Sequence, residues 1–183
     1  DICDNDLLRR DRPSIWSKYG PNVALTLGDW LVALAFELAA EAGQRAQTPL
    51  LVKILAQHMA TTTAGEASEF SLDKALEWDR YIEIASDKTA PLLTAPLEGV
   101  AAMALHVDAS LAIGTYFRSL GAAYQIANDI MNFRALDGAI DQGSDLARRA
   151  PNAVVVLYMQ SLPPEQLIVF DDWYSSGSNT EFA

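Results

Sequence analysis

Cysteine is nearly absent from this sequence. Cys3 stands alone among 183 residues, so no disulfide can form within the chain, and a zinc site would have to do without paired thiolates. Histidine is as scarce, and neither His58 nor His106 has a Cys or His neighbour at zinc-ligand spacing. Basic residues are few as well: 13 Lys and Arg stand against 24 Asp and Glu, a formal charge of −11. An extended phosphate backbone is repelled by that balance unless the basic residues cluster, so nucleic acid is not expected as a partner. Long apolar runs are missing too, because Asp29, Glu37, Asp108 and Arg118 cut them short of the roughly 20 residues that a spanning helix needs. The chain does not open on a signal peptide. We therefore expect no integral membrane segment and a reducing, cytoplasmic setting. Alternating β-branched runs are nearly absent, which leaves little from which to build a sheet.

What is present is a chain that is 50% apolar and 20% charged, enough for one globular domain with a substantial core. Alanine and leucine recur at three- and four-residue intervals, the period of amphipathic helices, so the predicted class is all-α. Residues 1–7 read as the last turns of a helix, followed by a polar stretch through Pro13 and a turn at Gly20-Pro21. A helix is expected from Thr26 to Ala42, stopping at Gly43. Another should start after Thr48 with Pro49 in its first position and run to Glu69. Ser71 should cap a helix through Tyr81, Ile84 and Lys88, with Pro91 and Pro96 kinking or breaking it. The longest pattern spans 107–133, with Leu111, Gly114, Phe117, Gly121, Tyr124 and Ile126 on its apolar face. A Gly/Asp-rich loop over 137–145 leads to a short helix ending at Gln160 and a last one from Pro163-Pro164 to Ser176. The whole predicts a bundle of about seven helices.

Two polar groups stand out from this pattern. Asp1 and Asp4 are three apart and share a helix face, with Asp6, Arg9, Arg10 and Arg12 following. Carboxylates so spaced can hold Mg²⁺ while leaving room for phosphate oxygens, and an arginine pair can grip the same phosphates; a salt-bridged surface end explains the pattern equally well. Asn128, Asp129 and Asn132 lie on the apolar 107–133 helix, with both asparagines on one face. Buried polar groups need partners, since leaving one unpaired costs roughly 1–3 kcal/mol. A metal, a ligand or an internal hydrogen-bond network would each serve. Lys88-Thr89 reads as a snorkelling lysine in an apolar helix, and Asp171-Asp172 as an exposed helix face. A net negative charge does not exclude a small anionic ligand bridged by divalent cations.

Taken in order, these strings resemble the trans-isoprenyl diphosphate synthases, the polyprenyl synthetase family. Asp1-Ile2-Cys3-Asp4 running into Arg9-Arg10-Asp11-Arg12-Pro13 is similar to the family's first aspartate-rich motif, DDxxD, and its Arg-Arg-Gly-x-Pro signature. Gly28-Asp29 resembles a Gly-Asp, Gly65-Glu66 a Gly-Gln, Lys88-Thr89 the family's Lys-Thr, and Tyr124-Gln125-Ile126 its Phe-Gln-Ile. Gly143-Ser144-Asp145-Leu146 resembles the string after the second aspartate motif. The second motif departs from DDxxD, reading Asn128-Asp129-Ile130-Met131-Asn132, and Ile140 stands near the place of a family lysine.

The resemblance implies one isoprenoid synthase helical bundle over 1–183, truncated at both ends, since neither Asp1 nor Ala183 reads as a natural terminus. It implies Mg²⁺ held by Asp1 and Asp4, and more weakly by Asn128, Asp129 and Asn132. Arg9 and Lys88 would contact an allylic diphosphate, Arg10 the diphosphate of isopentenyl diphosphate, and Thr89 and Gln125 the developing cation. The implied activity is chain elongation by a homodimer. A terpene cyclase on the same scaffold is an alternative, because Asn128 and Asn132 partly resemble the Asn/Ser/Glu motif of such enzymes, although Leu136 and Asp137 stand where its Glu is expected. A noncatalytic partner subunit is the third reading.

Overall fold

The computed structural model describes residues 2–3, 5–9, 12–70, 77–104, 106–136 and 143–176. Its helices confirm the all-α class. A short antiparallel hairpin, β1 (Leu8–Arg9) and β2 (Arg12–Pro13), precedes α1 (Ile15–Tyr19), α2 (Pro21–Arg45), α3 (Leu50–Phe70) and α4 (Trp78–Met103). A 3₁₀ turn at Val107–Ala109 then leads into α5 (Ser110–Phe133), α6 (Ser144–Arg148), α7 (Ala153–Ser161) and α8 (Pro164–Ser176).

Several boundaries differ from the expectation. Around residues 1–7 the described residues form turns rather than helix, with Asn5 at a positive φ of 57° and its N–H on the Ile2 carbonyl at 3.1 Å. Leu8 pairs with Pro13 and Arg9 with Arg12, a hairpin that two-residue strands give no periodicity to announce. The buried Ser14 caps α1 and donates to the Asp6 carbonyl at 2.8 Å, as does Trp16 Nε1 at 2.8 Å. Asp6 and Arg9 are thereby anchored to the start of the helices. α2 begins at Pro21, five residues before Thr26, because Gly20 takes a φ of 90° and Pro21 occupies the first turn. It runs past Gly43 to Arg45. α6 lies where only loop was expected, between Gly143 and Arg149, both with positive φ.

Pro91 and Pro96 do not break α4. Each removes a backbone donor and should weaken the helix, but α4 is the central element, pressed between α3 and α5. A Cβ on Gly65 would sit 2.5 Å from the Lys88 nitrogen, and one on Gly121 would sit 2.8 Å from the Ala90 nitrogen. Backbones that approach too closely for a side chain at Gly65 or at Gly121 flank α4 on both sides and hold the helical path through the prolines.

The packed face of α5 keeps Gly121 and the half-buried Gly114, Phe117 and Ile126 of the face expected, but not Leu111 or Tyr124. Gly121, Ala122, Asp129 and Asn132 are buried, whereas Leu111 is 82% and Tyr124 54% exposed. The line that meets α4 and α7 decides burial, and it includes two polar residues. Two apolar clusters complete the core. Tyr81, Ala85, Ala153 and Val156 pack with Ile126, and Val155, Met159 and Phe170 pack with Phe133 and Trp173.

A polar clasp joins α3, α4 and α5 about 15 Å along α4 from Lys88. His58 Nε2 lies 2.8 Å from Glu98 Oε2, and Ser110 donates to Glu98 Oε1 at 2.7 Å. Glu98→Ala should cost about 2 kcal/mol in urea unfolding, since both partners lose their shared acceptor; an unchanged midpoint would show that water replaces it.

Along α2, Val23, Leu25, Trp30, Leu31, Val32 and Leu38 are exposed. This helix is long and apolar enough to reach across a bilayer by length and composition alone, a test that core helices also pass, and it carries Asp29, Glu37 and Glu41.

Candidate active site

A cleft of about 570 Å³ opens between the hairpin, the C-terminal halves of α3 and α5, the middle of α4, and α6. It gathers Arg9 from β1, Lys88 and Thr89 from α4, and Gln125, Asn128, Asp129 and Asn132 from α5, together with Asp6, Thr62, Glu66, Glu69, Asp145 and Arg148. Seven of the ten site residues expected from the sequence thus converge on one place. Asp1, Asp4 and Arg10 lie outside the described residues, as do Asp137 and Ile140.

Lys88 is not a snorkelling surface lysine. Its ammonium lies 2.6 Å from Glu69 Oε2 and 3.0 Å from Glu66 Oε2, on the facing wall of α3. Burial works against its charge, but the two carboxylates outweigh it and hold the ammonium pKa above the ordinary lysine range. A group that binds its proton more tightly when folded contributes stability that is complete below the ordinary value of 10.5 and is lost as pH climbs through the higher folded value. Glu66 and Glu69 are three apart, so they share a face of α3, and that spacing was the signal available in the sequence.

Asp129 is 1% exposed, and its carboxylate is engaged inside the protein. Oδ2 accepts from the Tyr81 hydroxyl at 2.6 Å and the Ala153 N–H at 2.7 Å, and Oδ1 accepts from Gln125 Nε2 at 3.1 Å. Burial pushes its carboxyl above the usual carboxylate range, against the lowering effect of these hydrogen bonds. The Tyr81 hydroxyl is raised well above its normal range, first by burial and then by Asp129.

Asn132, also buried, joins the end of α5 to the start of α6. Its Nδ2 donates to Ser144 Oγ at 2.8 Å, and its Oδ1 accepts the Asp145 N–H at 3.3 Å. Asp145 in turn accepts from Asn152 Nδ2 at 3.0 Å and from Arg148 at 2.8 Å, while Asn152 caps α7 through the Val154 N–H at 2.9 Å. The string Gly143-Ser144-Asp145 is therefore held against the second polar motif. Asn128 lines the cleft half-buried, and its amide meets no partner among the described residues.

Oxygen donors dominate the lining, and the charged groups carry five negative and three positive charges: Asp6, Glu66, Glu69, Asp129 and Asp145 against Arg9, Lys88 and Arg148. No group of three His, Cys, Asp or Glu that could hold a metal ion occurs among the described residues. A net-negative cleft lined with fixed cations and hard oxygen atoms suits an anion that arrives with divalent metal, in which phosphate and protein oxygens share the ion.

The family model described as Polyprenyl synthetase matches residues 1–182. A prenyl transferase of Cyanophora paradoxa is 33% identical over 73% of this chain and 41% of its own length. A probable farnesyl diphosphate synthase of Bradyrhizobium diazoefficiens is 31% identical over 86% of the chain and 51% of its own length. Among solved structures, a polyprenyl synthase of Caulobacter crescentus complexed with calcium and isoprenyl diphosphate superposes with a TM-score of 0.84 at 26% identity, covering 99% of this chain and 56% of that one. The chain spans about half the length of the relatives it matches. With the helical bundle, the cleft and a match over residues 1–182, the chain belongs to the polyprenyl synthetase family.

Proposed function

We propose that the protein of which these residues form part is a Mg²⁺-dependent trans-prenyltransferase that elongates an allylic diphosphate with isopentenyl diphosphate. The observation that carries this reading is the convergence of Arg9, Lys88, Thr89, Gln125 and Asn128 on one cleft. In the reaction the allylic C–O bond breaks and its electron pair leaves on diphosphate. The π electrons of isopentenyl diphosphate then form the new C–C bond, and a proton is lost to the departing diphosphate. Arg9 and Lys88 hold the leaving diphosphate, where negative charge builds as the bond breaks. Glu66 and Glu69 set the position of the Lys88 ammonium until the anion takes over part of its hydrogen bonding. Thr89 and Gln125 offer oxygen dipoles towards the cationic fragment. Asn128, and Asp1 and Asp4 by the resemblance, would hold Mg²⁺, which supplies positive charge against the diphosphate.

The resemblance supports a cytoplasmic homodimer, and the exposed apolar side chains of α2 offer a face that a second copy would cover. A cyclase acting on the allylic diphosphate alone is the second reading, favoured by the commitment of Asp129, the one carboxylate of the second motif, to internal hydrogen bonds. The discriminating experiment incubates the full-length protein and Mg²⁺ with dimethylallyl, geranyl, farnesyl or geranylgeranyl diphosphate, each with and without isopentenyl diphosphate, and identifies products by mass spectrometry. Longer diphosphates that require isopentenyl diphosphate support elongation, and hydrocarbons or alcohols from the allylic substrate alone support cyclisation. No turnover in any mixture would point to a noncatalytic partner subunit. Lys88→Met should lower kcat about 10²-fold with the circular dichroism spectrum retained, the scale seen when one preorganised charge-stabilising donor is removed. A full-rate variant would remove Lys88 from the diphosphate site.

A further inference from the structure

Asp129 and Gln125 stand side by side in the wall of the cleft, with Asp129 almost wholly buried behind it. The Gln125 amide has two ends of almost the same shape, and their orientation is set by their partners. Here Nε2 donates to Asp129 Oδ1 at 3.1 Å, while nothing among the described residues donates to Gln125 Oε1. The other oxygen of Asp129 is already taken by Tyr81 and by the Ala153 N–H, so the carboxylate cannot rotate away without breaking both bonds.

We propose that Asp129 is a positioning residue that locks the Gln125 amide with its carbonyl oxygen left for the cleft and its NH₂ turned inward. The proposal rests on the prenyltransferase reading for its chemical purpose. When the allylic C–O bond breaks and its electron pair departs on diphosphate, positive charge remains on the hydrocarbon fragment. The negative end of the Gln125 dipole lowers the energy of that fragment, whereas the NH₂ end would raise it. Preorganisation matters because a free glutamine would turn either end towards the cleft, and the reacting pair would have to wait for the favourable one. The single carboxylate of the altered second motif thereby serves orientation rather than charge supply.

Asp129→Asn tests this with nearly unchanged shape. The introduced carbonyl keeps accepting from Tyr81 and Ala153, which places the introduced NH₂ opposite Gln125. Two NH₂ groups cannot hydrogen-bond to each other, so Gln125 must turn over and present its own NH₂ to the cleft. In the full-length protein kcat should fall about 10- to 100-fold with KM within about threefold. Adding Gln125→Glu to Asp129→Asn restores an oxygen to the cleft and should recover at least about tenfold in kcat over the single variant. An Asp129→Asn enzyme within twofold of the parent, or a double variant no faster than the single one, overturns the proposal.

A second measurement separates this from the reading it rests on. Nitrogen-15 NMR should show the Gln125 side-chain NH₂ protected from solvent exchange in the parent and unprotected in Asp129→Asn, whether or not the protein turns over. If the parent makes no product, the prenyltransferase reading falls, while the protected amide still supports the lock. An amide that exchanges like a surface glutamine in the parent overturns it.

Discussion

Asp129→Ala is expected to cost about 3 kcal/mol of stability, read from the urea midpoint of the full-length protein. Two opposing effects set that figure. The truncation strands the hydroxyl of Tyr81, 2% exposed, and the N–H of Ala153, 1% exposed, and each buried unpaired group costs about 1–3 kcal/mol. Against this, removing a buried carboxylate recovers part of its desolvation cost, the same cost that pushes its pKa up. The unpaired donors win because there are two of them, and they hold α4 and the start of α7 to α5. Asp129→Asn keeps an acceptor for both and should lose no more than about 1 kcal/mol. Equal midpoints for the two variants would mean that the internal hydrogen bonds are not what Asp129 contributes. The contrast also protects the activity test of Asp129→Asn from being read as unfolding.

Gly65→Ala is expected to destabilise by about 3 kcal/mol and to lower kcat about 10²-fold, although it adds one methyl group. The new Cβ would lie 2.5 Å from the Lys88 nitrogen, 2.8 Å from the Asp87 carbonyl carbon and 3.0 Å from the Lys88 Cα. All three are backbone atoms of α4, so no side chain can swing aside, and α3 or α4 must move bodily. That shift separates Glu66 and Glu69 from Lys88, which is why rate falls with stability. Gly28→Ala is the internal control. Its Cβ meets nothing within 4 Å in the middle of α2, so the better helix propensity of alanine should stabilise by about 1 kcal/mol and leave the rate unchanged. A Gly65→Ala enzyme of normal stability and rate would show that the close approach of α3 to α4 is dispensable.

By itself the sequence determined the helical class, since three- and four-residue apolar spacing is a local property that needs no knowledge of neighbours. It determined the start of α8 at consecutive prolines and the place of α7 after Pro151, because proline acts on its own backbone. It also determined that Lys88-Thr89 and Gln125-Ile126 sit within helices, and that the ordered strings resemble one family. The tertiary structure alone decided the rest. Pro91 and Pro96 lie inside an unbroken α4 because close packing on both flanks outweighs a local penalty of about 3 kcal/mol each. The burial of Asp129 depends on Tyr81, 48 positions earlier, and on Ala153, 24 positions later, separations at which no periodicity connects residues. Lys88 meets Glu69 across 19 positions only because Gly65 lets α3 approach. Polar residues on a helix say that partners are required; which partners meet them is decided by the packing of the other helices.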